Sequence, residues 1–352
     1  MIESTPETMR TVHPAIYKKF KIFSRFFAGR PVWCTWQVTY RCNFNCTFCD
    51  YWKCGVKPSD ELSVADIERG SRNLARISSL MISIGGGEPF MRPDLPQIIE
   101  AMARYHMPLI TTNGWFVTKE AARNAFRAGL WGASVSLDYA TEERHDRARG
   151  VKGAYRRALR ALEHFAGERC GRFQRVNVMA VLMRDNVDEL EPLIRLAARY
   201  GAFFMVQPYC DLKGGRREFT PDIAVAARLL ELREKYENFI SNKYFLERFD
   251  LAHDGGIPGC RAGKAFFNID NFGSVAKCVE DLEHPLGSIV SDHALGILSR
   301  LNAAWRANTC RSCWYNCRGE VEALYNPRGF LNAMPVVLST WSRTRKKVGR
   351  GE

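Results

Sequence analysis

Six apolar runs rich in β-branched residues recur along the chain, at Val32–Thr39, Leu80–Ile84, Leu109–Thr112, Ala133–Leu137, Val176–Leu182 and Phe203–Gln207. The segments between them repeat apolar residues at helical spacing. Leu95, Ile98, Ile99 and Met102 form one such stripe, and Leu190–Tyr200 carries another. Strand-like runs alternating with amphipathic helices are the pattern of a sheet covered by helices. Strands joined through helices run parallel with right-handed crossovers. The pattern therefore predicts an α/β fold, an open or partly closed (β/α)6 barrel over residues 31–250, ending in the charged helical stretch Pro221–Asp250. From Gly255 onward glycines and cysteines become dense and the rhythm stops. That change predicts a boundary near residue 250 and a separate cysteine-rich unit over 251–325.

Parallel α/β folds gather ligands at the carboxyl ends of their strands. The unusual polar clusters of this chain fall at those ends. Cysteines follow the first strand, Gly85-Gly-Gly-Glu88-Pro the second, and Thr112-Asn113-Gly114 the third. Asp138 follows the fourth, Arg184 and Asn186 the fifth, and Gln207 ends the sixth. One rim is thus expected to hold the chemistry.

Cys42, Cys46 and Cys49 are spaced x3 then x2 in the loop after the first strand. Soft thiolates select zinc, copper(I) or iron–sulfur clusters. A structural zinc site needs four ligands, which Cys34 or Cys54 could complete. Three thiolates on a cube of four irons instead leave one iron open for a substrate or cofactor.

The arrangement C-x3-C-x-aromatic-C, with Phe48 before the last cysteine, resembles the signature of the radical S-adenosylmethionine (SAM) enzymes. The resemblance implies a partial TIM-like barrel whose Cys42, Cys46 and Cys49 hold a [4Fe–4S] cluster. The open iron would chelate the methionine moiety of SAM, and one electron would break the sulfonium bond to give a 5′-deoxyadenosyl radical. Gly86, Gly87 and Glu88 look like the family's GGE motif, which binds the methionine ammonium. Ser136 and Asp138 in Ser-Val-Ser-Leu-Asp, and Asn186, are similar to residues around the ribose in relatives. Phe48 and the residues of the sixth strand are expected to face the adenine.

Five further cysteines lie beyond the boundary. Cys260-x12-Gly273-x4-Cys278 followed by Cys310-x2-Cys313-x3-Cys317 looks like the auxiliary-cluster domains of the same family, the two-cluster SPASM domain and its one-cluster twitch form. The cysteine count fits one extra [4Fe–4S] cluster on Cys260, Cys278, Cys310 and Cys313. Cys317 is then spare, a replacement ligand or part of an incomplete site. Four thiolates with a CxxC pair also suit a zinc ribbon. The remaining Cys34, Cys54, Cys170 and Cys210 read as small buried hydrophobes.

The formal charge of +13 attracts acidic partners of several kinds. Among these an acidic flavodoxin- or ferredoxin-type reductant suits the radical chemistry, and a nucleic-acid role is disfavoured because no RNA-binding module interrupts the barrel pattern. The charge is concentrated at the two ends. In the N-terminal segment 1–30, Ile16, Phe20, Phe23 and Phe27 form a helical stripe opposite Lys18, Lys19, Lys21 and Arg25. In the tail 326–352, Leu331, Met334, Leu338 and Trp341 precede Arg343, Arg345, Lys346, Lys347 and Arg350. Twelve cysteines that read as metal ligands and the lack of a secretion signal predict a cytoplasmic protein. Its basic ends read as a helix capping the barrel floor and a solvated tail, with peripheral contact at an anionic membrane as the alternative. About 30 residues precede the first strand, too few for the leader-binding domain of many peptide-modifying relatives. The expectation is accordingly a small molecule, sugar or lipid substrate, with peptide maturation as the alternative. Tyr139, Arg184, Gln207 and Tyr209 are further rim residues, and no substrate-side acid or base is evident.

Overall fold

The computed structural model describes residues 14–338 apart from 172, 214, 254 and 255. The six expected strands form within two residues of their runs: β1 (Trp33–Thr39), β2 (Met81–Gly86), β3 (Met107–Thr112), β4 (Gly132–Ser136), β5 (Arg175–Leu182) and β6 (Phe203–Pro208). Helices α1 (Pro14–Phe27), α2 (Val64–Ile77), α3 (Leu95–Ala103), α4 (Lys119–Arg127), α5 (Glu142–Arg149), α6 (Ala154–Glu168) and α7 (Leu190–Arg199) precede or connect them. All neighbouring pairs from β1 to β6 are parallel. The starts of the crossover helices are legible as caps: Ser63 accepts the Asp66 N–H at 3.2 Å before α2, and Thr118 accepts that of Ala121 at 3.1 Å before α4.

The chain beyond residue 200 departs from expectation in two places. Pro221–Asp250 is not one helical stretch. It forms α8 (Ala226–Lys235), α9 (Lys243–Leu246) and α10 (Phe249–His253), because Asn238 to Ile240 swing back to hydrogen-bond Phe204 on the edge of β6. The expected boundary near 250 is also not a break in the sheet. β7 (Phe266–Ile269) adds to β1 in parallel, Trp33 opposite Phe266, and β8 (Val275–Ala276) turns back antiparallel. The order is β6-β5-β4-β3-β2-β1-β7-β8, so the cysteine-rich segment grows from the open edge of the barrel. Helices α11 (Ala294–Arg306), α12 (Asn316–Ala323) and α13 (Pro327–Leu338) complete the described residues.

Strand alternation sorts the side chains into two faces. Cys34, Trp36, Ile82, Ile84, Ala133, Val135, Val176, Val178, Phe204 and Val206 are buried under the helices and make the main apolar core. The alternate residues Thr35, Ser83, Ser134, Ser136, Asn177, Met179, Met205 and Gln207 face the barrel lumen, where they line a cavity. Core strands with a half-polar second face mark the lumen as a binding space rather than packed interior.

The first and last helices of the described residues meet. Phe23 and Phe26 of α1 pack on Phe330 of α13, with ring centroids 6.3 and 6.2 Å apart. The cations of α1 are not all turned outward as the stripe implied. Lys18 donates to the Ala103 carbonyl, and Lys19 donates to that of Val337 at 2.6 Å while sitting over the Phe173 ring. Arg175 donates to the Val336 carbonyl. Two cations thus cap the carbonyl end of α13, where its dipole is negative. Phe20 and Phe27 are exposed instead, at 70% and 73%. No helix among the described residues is long and apolar enough to cross a membrane. Trp341 and the basic run Arg343, Arg345, Lys346, Lys347 and Arg350 lie outside the described residues.

Candidate active site

The loop after β1 is clamped from two sides. On one, the Gly87 N–H donates to the Thr39 carbonyl and the Glu88 N–H to that of Arg41, both at 2.8 Å. This approach requires glycine: a Cβ on Gly87 would lie 2.0 Å from the Arg41 oxygen, and one on Gly86, where φ is +108°, 2.1 Å from that of Thr39. On the other side, the carboxyl end of α5 presses against the loop. The Thr47 N–H donates to the Ala148 carbonyl at 2.9 Å, and a Cβ on Gly150 would meet the Asn45 Oδ1 at 2.2 Å.

Cys42, Cys46 and Cys49 line one cavity with Phe44, Phe48, Gly86, Gly87, Glu88, Thr112, Asn113, Ser136, Arg149, Gln207 and Tyr209. Burial pushes the Cys42 thiol up to about 12 and raises Cys46. Burial alone keeps such thiols protonated, and a bound metal would deprotonate them. Among the described residues no Cys, His, Asp or Glu converge tightly enough to hold a single metal ion. Three thiols lining one cavity are a donor set that a [4Fe–4S] cluster with one open iron would take.

Glu88 is buried at the cavity wall. Its Oε1 accepts the Thr112 hydroxyl at 2.7 Å and the Phe90 N–H at 3.0 Å, and its Oε2 accepts the Asn113 N–H at 2.7 Å. Burial outweighs these donors and brings its carboxyl up to about 7. A carboxylate has about four acceptor positions, so one remains for a cation in the cavity.

Ser136 lines the cavity as expected, but Asp138 and Asn186 are not on its wall. The polar atoms of both are engaged within the protein. Asp138 accepts Arg149 through Oδ2 and the Val181 N–H through Oδ1 at 2.9 Å. The Asn186 side chain donates to the carbonyls of Asp138 and Val181 and accepts the Met183 N–H at 2.7 Å. They hold the ends of β4 and β5 together, and of the three expected ribose residues Ser136 is the one on the cavity wall. Tyr139 is likewise spent on Asp185, its hydroxyl donating at 2.8 Å. Arg184 lines a separate surface pocket behind Tyr209. Cys210, read from sequence as a buried hydrophobe, lines the cavity, its thiol donating to the Ser312 carbonyl at 3.9 Å.

The residue that sequence reasoning missed is Arg149. Its Nε and one terminal nitrogen lie 2.8 and 2.7 Å from the Asp138 Oδ2, and the other terminal nitrogen is 4.0 Å from the Cys46 sulfur. Burial works against its charge, but Asp138 and Cys46 outweigh it and hold the guanidinium firmly protonated. The available signal was Arg149-Gly150, a helix end with a left-handed glycine cap, which gives no hint of what the arginine meets.

Below this cavity a second one of about 390 Å³ fills the lumen. Ser136, Arg149, Gln207 and Tyr315 belong to both walls. Its far wall includes Cys317, Glu320 and residues of α13. Glu320 is enclosed by protein around this cavity, and burial brings its carboxyl up to about 7 despite the Asn242 N–H it accepts at 3.0 Å.

The second cysteine group is assembled from four segments. Cys260 precedes β7, Cys278 follows β8, Cys310 and Cys313 lie before α12, and Cys317 is in its first turn. Asn308 ties the first to the third by donating to the Cys260 carbonyl at 3.0 Å and accepting the Cys310 N–H at 3.2 Å. Burial raises Cys313, and the nearby charges of Cys317 and Cys260 raise it further; burial also brings Cys278 up to about 11, with Cys260 adding to it. The thiols of Cys260, Cys278, Cys313 and Cys317 therefore share one neighbourhood, to which Asn308 ties the Cys310 backbone. Arg318, wholly buried, anchors it by donating to the Cys313 carbonyl at 2.7 Å and to Glu322 at 3.2 Å.

Comparison with known proteins bears on this arrangement. The family model of the radical SAM superfamily matches residues 36–197. Mycofactocin maturase MftC of Mycobacterium tuberculosis is 29% identical over 308 residues, 82% of this chain and 78% of that protein. The AdoMet-dependent heme synthase of Oleidesulfovibrio alaskensis is 28% identical over 272 residues, 69% of this chain and 68% of that protein. Among solved structures, Streptococcus suis SuiB bound to precursor peptide SuiA superposes with a TM-score of 0.62 at 18% identity, covering 79% of this chain and 68% of that one. The matched residues take in the cysteine loop, the glycine turn and the strands from β1 to β5, so the chain carries a radical SAM domain, the domain of enzymes whose radical chemistry is built around a [4Fe–4S] cluster and S-adenosylmethionine.

Proposed function

We propose that this enzyme oxidises a peptide substrate, as a radical SAM maturase with one catalytic and one auxiliary cluster. The lumen cavity carries this reading. It runs from the wall of the Cys42–Cys46–Cys49 cavity to Cys317, so a group bound in it lies between the two cysteine sets. A volume of about 390 Å³ admits a side chain or the end of a peptide, at the lower end of ligand pockets. The expectation of a small molecule, sugar or lipid gives way to the peptide alternative. The similarity to a maturase spans 82% of this chain, and that to a heme synthase 69%. The fold is also that of SuiB, crystallised with its precursor peptide.

Cys42, Cys46 and Cys49 would hold the catalytic cluster, and Cys260, Cys278, Cys310 and Cys313 the second, with Cys317 beside it. When bound, the first cluster with SAM supplies a radical that takes a hydrogen atom from carbon, and the second offers an electron sink. The chain does the rest. Glu88 offers its remaining acceptor position to the methionine ammonium, and Ser136 and Gln207 stand where the cavities join. Glu320 is the carboxylate on the lumen wall, and its position near neutrality suits it to take the proton a substrate radical releases as it loses its electron. The substrate then loses two hydrogens overall. The positive charge of the chain suits an acidic one-electron donor such as a flavodoxin.

Anaerobic protein given dithionite, SAM and candidate precursor peptides tests the proposal. A peptide lighter by two hydrogens, formed with 5′-deoxyadenosine, supports it. Turnover of a porphyrin with no peptide product sinks it.

A further inference from the structure

We propose that Arg149 is a positioning residue that sets the reduction potential of the catalytic cluster through the Cys46 sulfur, with Asp138 as its counterweight. The inference rests on Cys42, Cys46 and Cys49 being the cluster ligands. Its basis is where α5 ends. That helix is docked on the cysteine loop by the Thr47–Ala148 hydrogen bond and by Gly150 against Asn45, so its last residue is delivered to Cys46. All three guanidinium nitrogens are then committed, two to the Asp138 Oδ2 and one to the sulfur at 4.0 Å. The Phe48 ring, 5.2 Å from the guanidinium carbon, packs against it. Arg149 is 8% exposed and Asp138 fully buried, so water screens neither charge well.

Donors to cluster sulfurs and nearby charge are the levers by which a protein moves such a potential. Uptake of one electron makes the cluster one unit more negative. A cation at the ligand sulfur favours that state and raises the potential. Asp138 lies one residue deeper, on the far side of the guanidinium, and partly cancels it. The two residues therefore act with opposite sign, although they form one ion pair. A merely structural pair would not do this, since breaking it from either side would give the same disorder.

The test is a potentiometric titration of the full chain without SAM, followed by electron paramagnetic resonance. The catalytic cluster is recognised by its change of spectrum when SAM is added, and the auxiliary cluster serves as internal reference. Arg149→Gln should shift the catalytic couple at least tenfold toward the oxidised state, about 59 mV downward for one electron. Asp138→Asn should shift it upward, and Arg149→Lys should stay near wild type. The auxiliary couple should not move. Should Arg149→Gln not fold, the upward shift in Asp138→Asn decides the matter. Variants with full iron whose catalytic couple stays put, or moves in the same direction for Arg149→Gln and Asp138→Asn, overturn the inference alone. An iron-free wild type overturns the cluster assignment beneath it.

Discussion

The Glu88 carboxylate accepts the Thr112 hydroxyl at 2.7 Å, a bond from the glycine turn after β2 to the carboxyl end of β3. It fixes the carboxylate at the cavity wall before any ligand arrives. Thr112→Val removes one of its donors, so Glu88 should become harder to ionise and its grip on an ammonium weaker. SAM affinity, measured by equilibrium dialysis at pH 7, should fall several-fold. A substitution to Ser, which keeps the hydroxyl, should restore it.

Gly87 allows the backbone contact on which the cysteine loop rests. A Cβ there overlaps the Arg41 carbonyl at 2.0 Å, and backbone cannot step aside as a flexible side chain can. Gly87→Ala should cost about 1–3 kcal/mol in urea unfolding and lower the iron content. Gly85→Ala is the control, because its Cβ would meet nothing within 4 Å.

The two cysteine groups occupy different parts of the fold and should load separately. Replacing Cys42, Cys46 and Cys49 together by Ala should remove about half of roughly eight irons per chain and all cleavage of SAM. Replacing Cys260 and Cys278 should remove the other half yet leave 5′-deoxyadenosine formation. Iron analysis of the two proteins checks this, and loss of all iron from either would contradict it.

Arg318 and Glu322 are a buried pair within the second group, and Arg318 also satisfies the Cys313 carbonyl. Arg318→Ala takes the buried cation from the Glu322 carboxylate, which keeps the Arg261 N–H at 2.8 Å, and leaves the Cys313 carbonyl without this donor, at a cost of about 3–5 kcal/mol. Denaturant unfolding should show this loss. Arg318→Met paired with Glu322→Gln should recover much of it.

Glu320 makes stability depend on pH with a definite sign. Its folded value of about 7 lies above the ordinary 4.5, so the folded state holds the proton more tightly. Its contribution is full below about 4.5 and is lost as pH rises through about 7. Glu320→Gln should remove that loss, so the variant gains on wild type across this window, by about 3 kcal/mol at most. Thermal melts at pH 5 and pH 7.5 measure the difference. If Glu320 also takes the substrate proton, turnover should fall while SAM cleavage persists.

The barrel and its rim were legible in the residues because both depend on local order. A strand between two amphipathic helices announces itself by period, and ligands collect where strands end. The cysteine spacing and Gly86-Gly87-Glu88 could be read for the same reason: each is a short loop whose chemistry is carried by neighbours in sequence. What Asp138 and Asn186 touch within the protein could not be read. They sit at strand ends as rim residues do, and only the packing of β4 against β5 shows that their polar atoms are spent on backbone and on Arg149.

By itself, then, the sequence determined the α/β barrel, the loop of three thiols and the existence of a second cysteine set, since period and spacing are properties of adjacent residues. Tertiary structure alone decided the rest. It placed β7 on the free edge of β1, which made the cysteine-rich segment continuous with the barrel sheet. It brought Cys317 and Glu320 to the lumen wall and Arg149 to Cys46, over separations of 103 residues in the last case. Such contacts arise from burying apolar faces of distant elements against one another, and no local pattern records which charged side chain will be trapped when they close.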